Sequence, residues 1–242
     1  MKRLNTCLIG LIAVGAVLVA HVAEAAGDRP VVLELFTSQG CSSCPPADRI
    51  LGKLADDKGV IALSFHVDYW DYIGWKDTFA SKVTTARQHR YAQAMTQRHV
   101  YTPQLVVDGK RHMVGSDETA IRQAMAQARH APGNGSGIHI TDDGSALKLS
   151  VSAGQEIPCE AWLFAFDRKH EVAVERGENN GQKLVYTNVV RDTVLLGRWA
   201  GGDRVFDVKH DDISMQKRDG YVIIVQSRGQ GEVMAATQHR LK

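Results

Sequence analysis

The spacing of apolar residues differs between the two halves of the 242-residue chain. In the first half, continuous apolar runs at Val31–Phe36 and Val60–Val67 have the length and character of buried parallel strands. Between them, apolar positions in Ala47–Ala55 recur every three or four residues, which indicates a helix. This order predicts a β-α-β unit.

Two more helices and a hairpin follow in the same half. Lys82–Arg98 is typical of a polar helix. Asp108-Gly109 lies between two short apolar runs and predicts a β-hairpin, because this dipeptide favours the tight turn between antiparallel strands. Ser116 is expected to cap a helix from Asp117 to about Arg129, which has a regular apolar face.

The segment Ala131–Gly137 predicts a linker, because three glycines and a proline in a short stretch favour neither helix nor strand. Beyond it, about eight or nine short alternating runs are typical of an antiparallel β-sandwich. The expected strands are Ile138–Ile140, Leu147–Val151, Ala161–Phe166, Val172–Val174, Leu184–Val190, Val194–Leu196, Val205–Val208, Tyr221–Val225 and Val233–Thr237. The predicted division is a domain at residues 26–131, a linker at 132–137 and a second domain at 138–242.

The first 25 residues have the features of a secretory signal peptide. Lys2 and Arg3 precede the apolar stretch Leu8–Ala20, and Ala23-Glu24-Ala25 offers the small residues of a cleavage site before Ala26. The apolar stretch is shorter than the roughly 20 residues that a membrane span needs. We therefore expect the signal peptide to be cleaved near Ala26. The mature chain is expected to be periplasmic or secreted, with no stable membrane insertion.

The net charge of the mature chain argues against one class of partner, nucleic acid. Removing Lys2, Arg3 and Glu24 with the signal lowers the formal net charge from +2 to +1. A nearly neutral chain lacks the excess of basic residues that nucleic-acid binding requires, so nucleic acid is not expected as a partner.

The mature chain keeps an odd number of cysteines, Cys41, Cys44 and Cys159. Cys41 and Cys44 form a C-x-x-C motif where the first strand hands over to the first helix, a position at which the positive helix end favours a thiolate. The same spacing serves structural disulfides and metal sites, but an oxidising compartment favours a disulfide over zinc. A copper site that uses both thiolates and His66 is a further alternative.

The segments around this motif resemble a known family. The similar segments are Leu33–Cys41, Cys44–Asp48, His66–Trp70, Tyr101–Gln104, Arg176–Asn179 and Asn188–Arg191. They resemble a bacterial exported thioredoxin-like family that is known only as domain of unknown function 1223. The expected fold class is therefore an α/β thioredoxin-like domain followed by an antiparallel β-sandwich domain.

The resemblance also implies roles for individual residues. Cys41 would attack a target disulfide and Cys44 would resolve the mixed disulfide. Pro103, after Thr102, would be the cis proline that faces the dithiol in thioredoxin-like folds. Pro45 and Pro46 favour a helix that begins near Ser43, which leaves Cys41 just ahead of it and weakens the effect of the helix end on its thiolate.

Glu34 is a candidate proton acceptor for Cys44, because it lies mid-strand close to where thioredoxins place a buried acid. The alternative is that Glu34 faces a polar edge or pairs with a basic side chain such as Arg49. A long polar segment, Glu175–Gly181, is expected as a solvated hairpin loop, the alternative being that it reaches the dithiol face.

The expected function is thiol-disulfide exchange through Cys41 and Cys44 on a protein or small-thiol partner, with no cofactor. Two alternatives stay open: a binding or scaffold module in which the Cys41–Cys44 disulfide is structural, and a copper-binding protein. The direction of exchange depends on the reduction potential, which the Ser42-Ser43 dipeptide alone does not set.

Overall fold

The computed structural model describes residues 29–130, 136–143, 145–152, 154, 156–210 and 217–241. The expected signal peptide at 1–25, and most of the expected linker at 132–137, lie outside these residues. In the described part of the chain, no helix combines the length and the apolar character needed to cross a membrane.

Residues 29–130 form three α-helices and four strands. The elements in chain order are β1 (Val31–Thr37), α1 (Pro45–Leu54), β2 (Val60–His66), α2 (Lys82–Ala94), β3 (Gln104–Val107), β4 (Arg111–Val114) and α3 (Glu118–Arg129), with a short 3-10 helix at Asp71–Ile73. These bounds lie close to those expected from the apolar pattern. The cap of α3 is Asp117, whose side chain accepts from the Ala120 N–H at 2.9 Å, and the expectation of Ser116 was wrong.

Strands make up the second half. They are β5 (Gly137–Asp142), β6 (Ala146–Ser152), β7 (Cys159–Ala173), β8 (Lys183–Trp199), β9 (Arg204–Lys209), β10 (Gly220–Ser227) and β11 (Val233–Arg240). Four of the short strands expected from the sequence belong to just two long ones, β7 and β8, which form one hairpin. The sequence pattern divided each strand at a polar run, residues 167–171 in β7 and 191–193 in β8, and a register shift coincides only with the second.

One mixed sheet joins strands from both halves, in the order β11-β10-β7-β8-β2-β1-β3-β4. β1 pairs with β2 in parallel and with β3 antiparallel, and β8 meets β2 in parallel at Ser64 and Val189. The Asn188 side chain strengthens this junction by donating to the Ala62 carbonyl oxygen at 2.9 Å. A second sheet, β5-β6-β9, packs on the β7 and β10 part of the large sheet.

The expected fold class, an α/β thioredoxin-like domain followed by an antiparallel β-sandwich domain, was wrong. Of the described residues, 44% lie in strands and 20% in helices, and the main element is the large mixed sheet. A single apolar cluster on one face of that sheet runs from Phe36 and Phe65 in the first half to Phe164 and Ile224 in the second. Burying this surface jointly explains why the two halves share a sheet, since an exposed β2 edge would leave apolar side chains and backbone groups unpartnered. Where a domain boundary lies along the chain stays a prediction.

The helices lie on opposite faces of the large sheet. α1 and α3 cover one face, where Leu51 and Ile121 pack on Leu33 and Leu35 of β1. α2 covers the other face, where Tyr91 packs in the shared apolar cluster. Since successive side chains of a strand point to opposite faces, the odd and even positions of β1 meet different helices.

Candidate active site

The C-x-x-C motif forms a disulfide at the start of α1. Cys41 and Cys44 are bonded to each other, with their Cα atoms 5.4 Å apart. Cys44 is the N-cap of α1, and Pro45 and Pro46 occupy the first two helical positions, where no intrahelical N–H is needed. The helix therefore begins at Pro45, slightly later than expected, and Cys41 lies ahead of it as the two prolines predicted.

Both sulfur-bearing residues are buried. Cys41 is 1% exposed and Cys44 is fully buried, whereas Ser42 and Ser43 between them are exposed. The Ser43 hydroxyl lies 3.4 Å from the Cys41 sulfur. A partner that attacks Cys41 must therefore first gain access to it.

The cover over the disulfide comes from the loop between β7 and β8. The Asn179 side-chain amide donates to the carbonyl oxygens of Gln39, at 2.9 Å, and Cys41, at 3.0 Å. The Ser42 backbone N–H donates to a Glu178 carboxylate oxygen at 3.3 Å. The expectation that Glu175–Gly181 is only a solvated loop was wrong, because its central residues hold the backbone of the C-x-x-C segment.

Pro103 lies at the same end of the sheet. The Thr102–Pro103 peptide bond is cis, as the resemblance implied. Its neighbour Trp70 donates from Nε1 to the Thr102 hydroxyl at 2.7 Å and packs against Gly40, where an added Cβ would lie 3.2 Å from the Trp70 Cβ. Trp70 thus connects the segment before Cys41 to the cis-proline loop, while a function of Pro103 in exchange stays a prediction.

Glu34 points away from α1. It is fully buried on the α2 face of β1, where the Arg87 guanidinium donates to both carboxylate oxygens, at 2.5 and 3.0 Å. Tyr91 also donates to Glu34, and Arg87 donates to the Gln226 side chain of β10 at 3.1 Å. Of the two alternatives for Glu34, the geometry favours a charge pair, with Arg87 in place of Arg49. It does not bring Glu34 to the same side of the sheet as Cys44.

A different acid, Asp48, lies one helical turn after Cys44. Its backbone N–H donates to the Cys44 carbonyl oxygen at 3.1 Å, one helical turn back, and its side chain is buried. Neither carboxylate oxygen has a hydrogen-bonding partner among the described residues. Burial raises the pKa of Asp48 to about 7. His66 and the nearby Thr37 hydroxyl lower this pKa in part, although the Thr37 hydroxyl is not in hydrogen-bonding geometry.

His66 and Asp77 form a buried pair beside Asp48. His66 Nδ1 lies 2.7 Å from Asp77 Oδ2, and both side chains are fully buried. Burial acts to raise the pKa of Asp77, but His66 and the backbone N–H groups of Gln39 and Phe79 outweigh it, so the pKa is lowered. His66 Nε2 has no partner in the part of the chain that the structure describes. Asp77 thus supports both His66 and the Gln39 segment that leads to Cys41.

Sequence reasoning missed this cluster, apart from naming His66 as an alternative copper ligand. One signal was available: Asp48 interrupts the apolar face of α1 four residues after Cys44, between positions occupied by Ala47 and Leu51. Across the described ranges, no group of three or more His, Cys, Asp or Glu side chains is arranged to hold a metal ion. The structure gives His66 an acid partner, Asp77, instead of a position beside both sulfurs.

Comparisons with known proteins fix the family and leave the activity open. The family model described as "Protein of unknown function (DUF1223)" matches residues 32–226. A crystal structure of protein AGR_C_4864 from Agrobacterium tumefaciens is similar with a TM-score of 0.75 and 31% identity, over 88% of this chain and 96% of that one. HBP35 of Porphyromonas gingivalis shares the fold, with a TM-score of 0.60 and 14% identity, over 88% of this chain and 76% of that one. No curated protein matches the sequence.

Proposed function

For this chain, which belongs to the DUF1223 family of proteins of unknown function, we propose thiol-disulfide exchange through Cys41 and Cys44. The observation that carries the proposal is the disulfide between these residues at the N-terminus of α1. A thiolate released at Cys44 would lie at the positive end of α1, which stabilises negative charge. The partner is a protein or small-molecule thiol or disulfide, and the proposed compartment is periplasmic or extracellular, where such bridges persist.

The exchange requires access to Cys41. The Asn179 and Glu178 contacts that cover the motif are few and lie at the tip of a hairpin, so displacing this tip exposes the disulfide without unfolding the sheet. Cys41 would then take the incoming thiolate, and Cys44 would leave and later resolve the mixed disulfide. The third cysteine, Cys159, is buried and free, and burial raises the pKa of its thiol, so it is not the nucleophile of the proposal.

A second candidate is a purely structural bridge. The burial of both cysteines favours it, because an inaccessible disulfide exchanges slowly with external thiols. In that case the Cys41–Cys44 bridge only ties the loop before α1, and the protein binds partners by other surfaces.

One experiment separates the two candidates. The mature chain carrying Cys44→Ser, with Cys159→Ser as the matched control, is incubated with glutathione disulfide and with extracts of the native compartment, and mixed disulfides are identified. In parallel, the reduction potential of the wild-type dithiol is measured against glutathione. Exchange predicts a mixed disulfide on Cys41 and a potential above about −300 mV. No mixed disulfide together with a potential below about −300 mV would establish the structural bridge.

A further inference from the structure

We propose that Asp48 exchanges a proton with the Cys44 sulfur each time the disulfide opens or closes, and that His66 and Asp77 are positioning residues for it. This inference rests on the proposed function and names the group that completes its chemistry. It assigns to a helix residue the task that sequence reasoning gave to Glu34 on β1.

Helix geometry places Asp48 next to Cys44. Residues four apart lie on the same face of a helix, one turn from each other, and Cys44 and Asp48 are joined by the first regular backbone hydrogen bond of α1. Both side chains are buried. Asp48 is therefore a buried acid one helical turn from Cys44, on the side of α1 that packs against the sheet.

The surroundings of Asp48 are polar but unpaired. Thr37 and His66 are register partners at the ends of β1 and β2, and they share the sheet face that α1 covers. Unpartnered buried polar atoms among the described residues include the Thr37 hydroxyl, His66 Nε2, the Tyr186 hydroxyl and both Asp48 carboxylate oxygens. Buried polar groups are normally paired, and unpaired ones in a native structure are concentrated at functional sites. Asp48 joins this cluster to the motif, because it lies one helical turn after Cys44.

The charges around Asp48 keep its two protonation states close in free energy. Burial and Asp77 favour the neutral acid, whereas His66, Thr37 and Arg49 favour the carboxylate. Burial, with Asp48 and Asp77 nearby, raises the pKa of Tyr186, so this phenol stays neutral. The titratable or charged groups that face Asp48 are therefore His66, Asp77, Arg49, Tyr186 and, across a small cavity, Lys183. A proton acceptor that also has to return its proton works best with such balanced states near neutral pH.

A small cavity lies beside Asp48, whose two carboxylate oxygens are themselves buried. This cavity of about 90 Å³ is lined by Pro45, Asp48, Arg49 and Lys183 together with Leu184 and Val185 of β8. It lies between α1 and the start of β8.

The chemistry balances with glutathione as the partner. When a glutathione thiolate attacks the Cys41 sulfur, the Cys41–Cys44 bond breaks and the Cys44 thiolate takes the proton of neutral Asp48. In the reverse step, the Asp48 carboxylate takes the proton of the Cys44 thiol, the Cys44 thiolate attacks the Cys41 sulfur, and a glutathione thiolate leaves. No further oxidant or reductant is needed, because each step converts one disulfide and one thiolate into another disulfide and another thiolate.

The test measures this closing step as a single turnover across pH 5 to 9, from the mixed disulfide of Cys41 with glutathione. Asp48→Asn is expected to slow closure about 100-fold at pH 7 and to abolish the inflection near pH 7, whereas Asp56→Asn, on an exposed residue of the same segment, leaves both unchanged. Asp48→Glu should restore part of the rate and the inflection. His66→Gln should move the inflection to higher pH, because His66 favours the Asp48 carboxylate.

The outcomes separate the two proposals. A wild-type protein that never forms or resolves the mixed disulfide overturns both. A wild-type protein that exchanges while Asp48→Asn keeps its rate and pH profile overturns only the role of Asp48. If Asp48→Asn does not fold, carbon NMR of the Asp48 carboxyl in the oxidised wild-type chain decides instead: titration near pH 7 supports the proposal, and titration in the ordinary range near 4 overturns it.

Discussion

Replacing Asp48 by asparagine should stabilise the oxidised protein at alkaline pH. The wild-type side chain is buried in a site where burial raises its pKa from 3.8 to about 7. Above pH 4 the unfolded chain gains stability by ionising Asp48, and the folded chain does not until the pH passes about 7. The stability associated with the raised pKa is thus complete below pH 4, falls as pH rises to about 7 and stays lost above it.

The magnitude follows from the size of this shift. About three units at roughly 1.4 kcal/mol each correspond to about 4 kcal/mol between pH 4 and pH 8. Asparagine is of similar shape and does not ionise, so it avoids this cost while it keeps a polar group in the same place. We expect Asp48→Asn to match the wild type at pH 4 and to exceed it by about 2 to 4 kcal/mol at pH 8.

Urea unfolding of the oxidised chains at pH 4, 6 and 8 checks this expectation, with Asp56→Asn as the surface control. The difference between Asp48→Asn and the wild type should grow with pH, and that of the control should not. A variant that is equally stable or less stable than the wild type at pH 8, with a parallel pH dependence, would refute the reasoning. A gain in stability with a loss of exchange rate is typical of a residue kept for function.

Two further predictions concern the core and the cover of the disulfide. Arg87→Met should lower the free energy of unfolding by about 3 to 5 kcal/mol, because it leaves the Glu34 carboxylate buried without its ion-pair partner. The double variant Arg87→Met/Glu34→Met should recover most of this loss. Urea unfolding measures both variants, and a single variant within about 1 kcal/mol of the wild type would contradict the pairing. Asn179→Ala should speed reduction of the disulfide by dithiothreitol severalfold, because it removes both side-chain hydrogen bonds between the loop and the motif. An unchanged or slower rate would show that the loop does not limit access to the disulfide.

Local pattern determined much of the first half of this molecule. The strands β1 and β2, the helix after the C-x-x-C motif and the hairpin at Asp108-Gly109 all follow from residue spacing and turn chemistry, which act between near neighbours in the chain. The cysteine pair and its place at a helix start could likewise be predicted. Pro103 could be named as a candidate cis proline from the family resemblance.

The same pattern failed where distant segments meet. Polar runs interrupt the apolar pattern of β7 and β8, so the pattern predicted short strands of a separate sandwich, although these two strands continue the sheet of the first half. Glu34 looked like the acid below the dithiol, but its even position on β1 directs it to Arg87 on α2. A one-dimensional pattern shows that a side chain is buried and leaves open which face it meets.

The sequence by itself thus determined that this protein has a Cys41–Cys44 pair at a strand-to-helix junction, since that depends on neighbouring residues. Only the tertiary structure decided that Asn179 binds the backbone of the Cys41 segment and that Asp48 lies buried near His66 and Asp77. The physical reason is that the charge state of Asp48 and the exposure of Cys41 are set by burial against segments far away in the chain.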